Sequence, residues 1–214
     1  GRAILPTCHE VIMILFEDDW KYYPTARPNF DTDNESFLLL AKTYKTMGVK
    51  NYYFHLALID QTLKKVNPFD DNLTIEQMAR IGEECRINPW YFFREILRIK
   101  PQSGMEPLRF RGDRGNIGAA WHFFNHITLF WVQPRQTGKS TGADALALFL
   151  IYFGAENTRI NMLTVSEKLR VENIERLHKA REFFPKYLDK HKKNIDAENK
   201  MRVTCSELGN EYST

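Results

Sequence analysis

The residues best suited to chemistry sit together in the run Gln133-Pro134-Arg135-Gln136-Thr137-Gly138-Lys139-Ser140-Thr141. A phosphate is held by backbone N–H groups converging on one anion, by the positive end of a helix, and by a lysine that reaches the terminal oxygens. Gly138-Lys139-Ser140 has a residue for each need. Gly138 lets the backbone come close to oxygen atoms, Lys139 neutralises the β and γ phosphates, and the Ser140 hydroxyl is a ligand for Mg²⁺. Thr141 adds a hydroxyl near the α phosphate. The usual spacing is GxxxxGK[ST], and Gln133 stands here where the first glycine belongs. Arg135 is unusual inside such a loop. Its guanidinium can contact the γ phosphate from within the same subunit and stabilise transition-state charge, or it can form a salt bridge that shapes the loop. The expected ligands are ATP and Mg²⁺.

A loop of this kind needs a strand to deliver it and a helix to receive the phosphates. The apolar run at residues 127–132 reads as that strand, and the Ala/Leu-rich stretch 139–152 as that helix. A helix over residues 116–124 precedes them. A strand at 160–165, a Ser166-capped helix to about Phe184 and a shorter β pattern at 201–205 follow. This rhythm predicts an α/β fold: a partial P-loop NTPase parallel sheet with flanking helices over residues 106–214.

Residues 1–105 read as a mostly helical subdomain with an extended arm over the first 35 residues, where Pro24, Pro28 and a polar run interrupt any regular pattern. Phe37, Leu38, Leu40, Ala41 and Tyr44 recur at helical spacing, with Gly48 as the stop, and a second apolar segment at 52–63 is expected to pack against them. Thr74-Ile75-Glu76-Gln77 has the form of a capping box, and Asn88-Pro89 opens a further helix. The aromatic run Trp90-Tyr91-Phe92-Phe93 could stack on bases. Ile96 and Leu97 beside it favour a core face.

Composition narrows the class. With 43% hydrophobic, 13% aromatic and 27% charged residues the 214-residue chain has the profile of a packed protein, and a net charge of +3 is far from that of a dedicated basic DNA-binding domain. Cys8, Cys85 and Cys205 are odd in number and widely separated, which suggests neither a disulfide framework nor a zinc site. No apolar run approaches the length that spans a bilayer, so no membrane partner and a cytoplasmic location are expected. The basic run 186–193 reads as a solvated helix end and loop.

Pro134-Arg135-Gln136-Thr137-Gly138-Lys139-Ser140-Thr141 resembles the deviant Walker A loop of the large terminase subunits of tailed bacteriophages. Asn88-Pro89-Trp90-Tyr91-Phe92 resembles that family's segment ahead of its ATPase core, Met162-Leu163-Thr164-Val165-Ser166 the strand and helix start after the loop, and Glu182-Phe183-Phe184-Pro185 the end of that helix. The resemblance covers roughly residues 80–214. It implies the ATP-binding N-terminal part of a motor that hydrolyses ATP to drive double-stranded DNA into a procapsid and cuts it with a separate nuclease domain. The implied partners are DNA, a portal ring, a small terminase subunit and further copies in a ring, in the cytoplasm of an infected bacterium. By the same resemblance Asn116 stands where the family reads the adenine edge with glutamine. A plain helix cap is the other reading of Asn116, and Trp121 and Phe123 are either base-stacking rings or core. Asp18-Asp19 and Asp70-Asp71 lack the apolar run that leads into a Walker B acid pair, so they read as turn and cap residues and little turnover is expected from this chain alone. Two other readings stand beside this one: a helicase or repair ATPase, and a docking module that holds nucleotide without hydrolysing it.

Overall fold

A computed structural model describes residues 12–101, 106–134, 138–196, 199 and 201–214. Residues 12–35 are not a free arm: Ile14 is buried and its N–H donates to the Ile87 carbonyl at 2.8 Å, while the Trp90 indole donates to the Leu15 carbonyl at 3.0 Å. Strand β1 (Arg27–Pro28) pairs antiparallel with β2 (Ala57–Leu58).

Helix α1 (Glu35–Thr46) buries Phe37, Leu40 and Ala41 on one face. It stops at Gly48, whose left-handed φ of 78° suits glycine and whose N–H donates to the Lys45 carbonyl at 3.1 Å. Residues 52–63 form two 3₁₀ turns flanking β2, and residues 54–59 are all buried. A buried irregular segment must find partners for its backbone. Arg94, fully buried, donates to the carbonyls of His55 (2.8 Å) and Ala57 (3.3 Å), and the Glu84 carboxylate accepts from the N–H groups of Ile59 and Asp60, both at 2.9 Å.

Helix α2 (Ile75–Ile87) starts with the expected reciprocal box: Gln77 N–H donates to Thr74 Oγ1 at 3.1 Å and Thr74 N–H to Gln77 Oε1 at 2.9 Å. Asn88 Oδ1 accepts from Tyr91 N–H at 3.1 Å and caps α3 (Pro89–Tyr91), which continues as a π turn through Ile96. Trp90, Phe92 and Phe93 are buried against Phe54, Phe110, Phe149 and Phe153, so the aromatic run is core. Strands β3 (Arg98–Ile99) and β4 (Leu108–Arg109) form a short antiparallel ladder in which Arg98 stands opposite Arg109.

The remaining elements are α4 (Arg114–Phe124), α5 (Lys139–Phe149) with a π turn through Gly154, β5 (Arg159–Asn161), α6 (Glu167–Glu182), β6 (Arg202–Cys205) and β7 (Asn210–Ser213). Ser166 caps α6 as expected, accepting from Leu169 N–H at 3.3 Å. The sheet has the order β5-β7-β6, with β5 parallel and β6 antiparallel to β7. The protein is thus a mixed α/β structure with small sheets.

The parallel P-loop sheet expected from the sequence is not seen among the described residues. Residues 127–132 form no strand there. Apolar alternation marks a segment that can enter a sheet, but a strand exists only where a neighbour accepts its N–H groups and donates to its carbonyls. The strand expected at 160–165 is seen as β5, which pairs with β7 at residues 159–161, and Leu163 and Val165 are almost fully exposed. One cluster of buried side chains extends from Ile14 to Tyr212. Among the described residues no helix is long and apolar enough to cross a membrane.

Candidate phosphate-binding site

Helix α5 begins at Lys139, and its N-cap is Gly138 in the left-handed region with φ 83° and ψ 12°. A side chain there would be strained, and none caps this helix end. The first-turn N–H groups of any helix lack intrahelical acceptors and carry the positive end of its dipole. Lys139 and Ser140 are exposed on this turn and Thr141 is half-buried. The ladder begins with Gly142 N–H donating to the Gly138 carbonyl at 2.8 Å. The first turn of α5 thus carries an exposed ammonium, an exposed serine hydroxyl and a half-buried threonine hydroxyl. Pro134 is exposed and Gln133 half-buried; Arg135, Gln136 and Thr137 lie outside the described residues.

Asn116 comes to the same place from α4. It is not the cap of that helix. Asp113 is, accepting from Asn116 N–H at 2.9 Å, because its side chain reaches back over the first turn. The Asn116 amide group donates to Asp113 Oδ2 at 3.1 Å, while its Oδ1 is buried and has no hydrogen-bond partner among the described residues. A Cβ built on Gly142 would lie 2.7 Å from that oxygen and 2.7 Å from Trp131 Cη2, and one built on Gly138 would lie 3.5 Å from Asn116 Nδ2. Gly142 thus lets α4 and Trp131 close on the first turn of α5, whereas a Cβ at Gly138 would meet Asn116 at ordinary contact distance. Gln133 folds over Gly115, in the first turn of α4, where a Cβ would collide with it. Of the ring candidates, Trp121 is half-buried with its edge on Phe16 (centroids 5.8 Å apart), whereas Phe123 is 44% exposed and belongs to no core.

Sequence reasoning passed over Asp144, one turn further along α5. It is buried and takes Arg176 Nε at 2.7 Å, tying α5 to α6. Burial raises its pKa and the Arg176 guanidinium opposes the rise. The pair lines a cavity of about 620 Å³ between α5, α6 and β3, with Thr141 at its edge. The signal was present: an acid within Ala143-Asp144-Ala145-Leu146-Ala147-Leu148 cannot be buried without a cation.

The chain matches no protein-family model and no curated protein.

Proposed function

We propose that this chain binds ATP·Mg²⁺ at the start of α5 and is the N-terminal part of a large-terminase-like ATPase, a motor that moves double-stranded DNA. The observation that carries the nucleotide reading is the left-handed Gly138 at the N-cap, followed by an accessible Lys139-Ser140 and closed behind by Gly142 on Asn116. In this reading Lys139 balances the terminal phosphates and Ser140 supplies a hydroxyl to Mg²⁺, whose charge draws electron density from the γ phosphate. Asn116 Oδ1, buried and unpaired, is an acceptor for a donor on the nucleotide. The motor reading rests on the likeness of residues 134–141 to the terminase loop, and it takes the P-loop parallel sheet, the DNA, portal and small-subunit contacts and the ring as its further content.

A second reading, a module that holds nucleotide while docking on another protein, draws on a different observation. Phe130, Val132, Leu163 and Val165 are 93%, 73%, 97% and 95% exposed, and together they would mark an interaction surface if they form one patch.

Titration with a fluorescent ATP analogue in Mg²⁺, beside steady-state phosphate release, separates the readings. Saturable binding that Lys139→Ala weakens at least tenfold supports the nucleotide site, with Arg135→Ala changing affinity by no more than a few fold. Turnover near the typical ~10 s⁻¹ of enzymes that Lys139→Ala abolishes would sink the docking module. Unchanged affinity in Lys139→Ala would remove both readings.

A further inference from the structure

A second cavity, of about 350 Å³, opens beside the β3–β4 ladder, remote in sequence from the phosphate loop. Its wall contains Arg98, only 8% exposed. A buried guanidinium is normally matched by a carboxylate, because uncompensated charge in an apolar wall is costly. Among the described residues Arg98 has no such ion pair. Its Nη1 donates to the carbonyls of Glu95 (2.9 Å) and Leu97 (3.2 Å), and no described residue accepts from its Nε or Nη2. Each nearby acid is engaged elsewhere: Glu95 with Arg94 at 2.8 Å, Asp31 with Lys64 at 2.7 Å, and Asp33 with Arg109 at 3.6 Å.

Two further features concentrate positive charge there. Arg109 is the direct cross-strand neighbour of Arg98, and like charges so placed destabilise a ladder unless something sits between them. The Phe69 ring lies 4.3 Å from the Arg98 guanidinium carbon and pins the plane of the fork. Burial lowers the Arg98 pKa to about 10; Arg109 adds to the drop and the nearby Glu95 carboxylate opposes it. On the same wall, Tyr91 is buried with a hydroxyl that has no partner.

We propose that this cavity binds a compact oxyanion of the phosphate class, held between Arg98 and Arg109. A tetrahedral anion offers oxygens to two forks approaching from different sides, whereas a lone carboxylate fills one. The cavity exceeds one phosphate, and Asn29 and Asn67 line the remainder, so a phosphate monoester of a small polar molecule suits it as well as the free ion. Asp31 and Asp33 on the same wall disfavour an extended polyanion such as a nucleic-acid strand.

The test is calorimetric titration of the Lys139→Ala chain, which removes the other phosphate site, with inorganic phosphate and with glycerol phosphate at chloride-matched ionic strength. One saturable site is expected, weakened at least tenfold by Arg98→Met and severalfold by Arg109→Met. Without phosphate, Arg98→Met should melt at a higher temperature than its parent, since an unmatched buried charge is gone. Tighter glycerol phosphate assigns a monoester and tighter inorganic phosphate the free ion; either supports the site. Equal affinity in the Arg98→Met chain, no saturable heat, or saturation by succinate in place of phosphate overturns it. Should Arg98→Met fail to fold, Arg109→Met on the exposed side decides alone, and unchanged affinity there refutes the proposal.

Discussion

His55 is fully buried, between Phe37, Tyr44 and Phe54, and its Nε2–H donates to the Phe37 carbonyl at 3.1 Å. That bond fixes the tautomer, so Nδ1 is the bare nitrogen, and it has no partner. Protonation would place a charged donor there with nothing to receive it. Burial accordingly lowers the pKa from 6.5 to about 4; the bond to Phe37 opposes the drop and the nearby Arg94 charge adds to it. The native pKa lies below the unfolded one, so between pH 6.5 and about 4 the unfolded chain takes up a proton that the native chain refuses. Stability from this residue is complete above pH 6.5, falls through that window, and is gone below about 4. At about 1.4 kcal/mol per pH unit the loss comes to about 3 kcal/mol. Glu84 acts in the opposite sense, because burial raises its pKa and native protonation precedes unfolded protonation as pH falls. The variant His55→Phe isolates the histidine. Urea unfolding of both chains from pH 7.5 to 4 should show the wild type losing about 3 kcal/mol relative to the variant, on top of a constant offset of about 1 kcal/mol for the lost bond to Phe37. Parallel stability curves across that range would refute the reasoning.

Gly142→Ala should destabilise the chain by about 1–2 kcal/mol in thermal unfolding, because displacing Asn116 and Trp131 from 2.7 Å contacts outweighs the roughly 1 kcal/mol that alanine gains over glycine in a helix. The same substitution should weaken ATP analogue binding, since the first turn of α5 shifts with it. Arg176→Met leaves Asp144 buried without its guanidinium, so it should cost more stability at pH 7 than the double variant Asp144→Leu/Arg176→Met, and the deficit of the single variant should shrink as pH falls and Asp144 protonates. Denaturant unfolding of the three chains at pH 7 and 5 checks both statements.

The local parts of the fold were legible wherever a short-range rule decides the outcome. The Thr74–Gln77 box, the Asn88 and Ser166 caps, the Gly48 stop and the burial of Trp90-Tyr91-Phe92-Phe93 each follow from a few neighbouring residues, and each is present. What failed depends on partners distant in the chain. Residues 52–63 read only as an apolar segment packed on its neighbour; the burial of 54–59 is made tolerable by Glu84, 25 positions from Ile59, and Arg94, 39 from His55, which give no local sign of that role. Strand β7 went unread because Asn210-Glu211-Tyr212-Ser213 is polar; it is a strand because Asn210 and Tyr212 point inward, Asn210 Nδ2 donating to the carbonyls of Ile151 (2.9 Å) and Ala155 (2.7 Å).

The same division separates the two proposed anion sites. The loop at 133–141 announces itself because glycine, lysine and a hydroxyl must be adjacent in sequence to curl around one phosphate, so spacing alone carries the message. Arg98 and Arg109 carry none: eleven positions apart, they form no motif until the β3–β4 ladder sets them face to face with the Phe69 ring over Arg98. Asn116 falls between these cases. Its type and place upstream of the loop suggested a contact with nucleotide, while its placement against Gly142 goes with Asp113, which caps α4 and also accepts from the Asn116 amide at 3.1 Å. If Asp113→Ala releases the Asn116 amide from its acceptor, analogue binding should weaken although neither residue carries a charge that a phosphate would seek. An unchanged affinity would place Asn116 in the packing of α4 on α5 and nowhere in the recognition of the ligand.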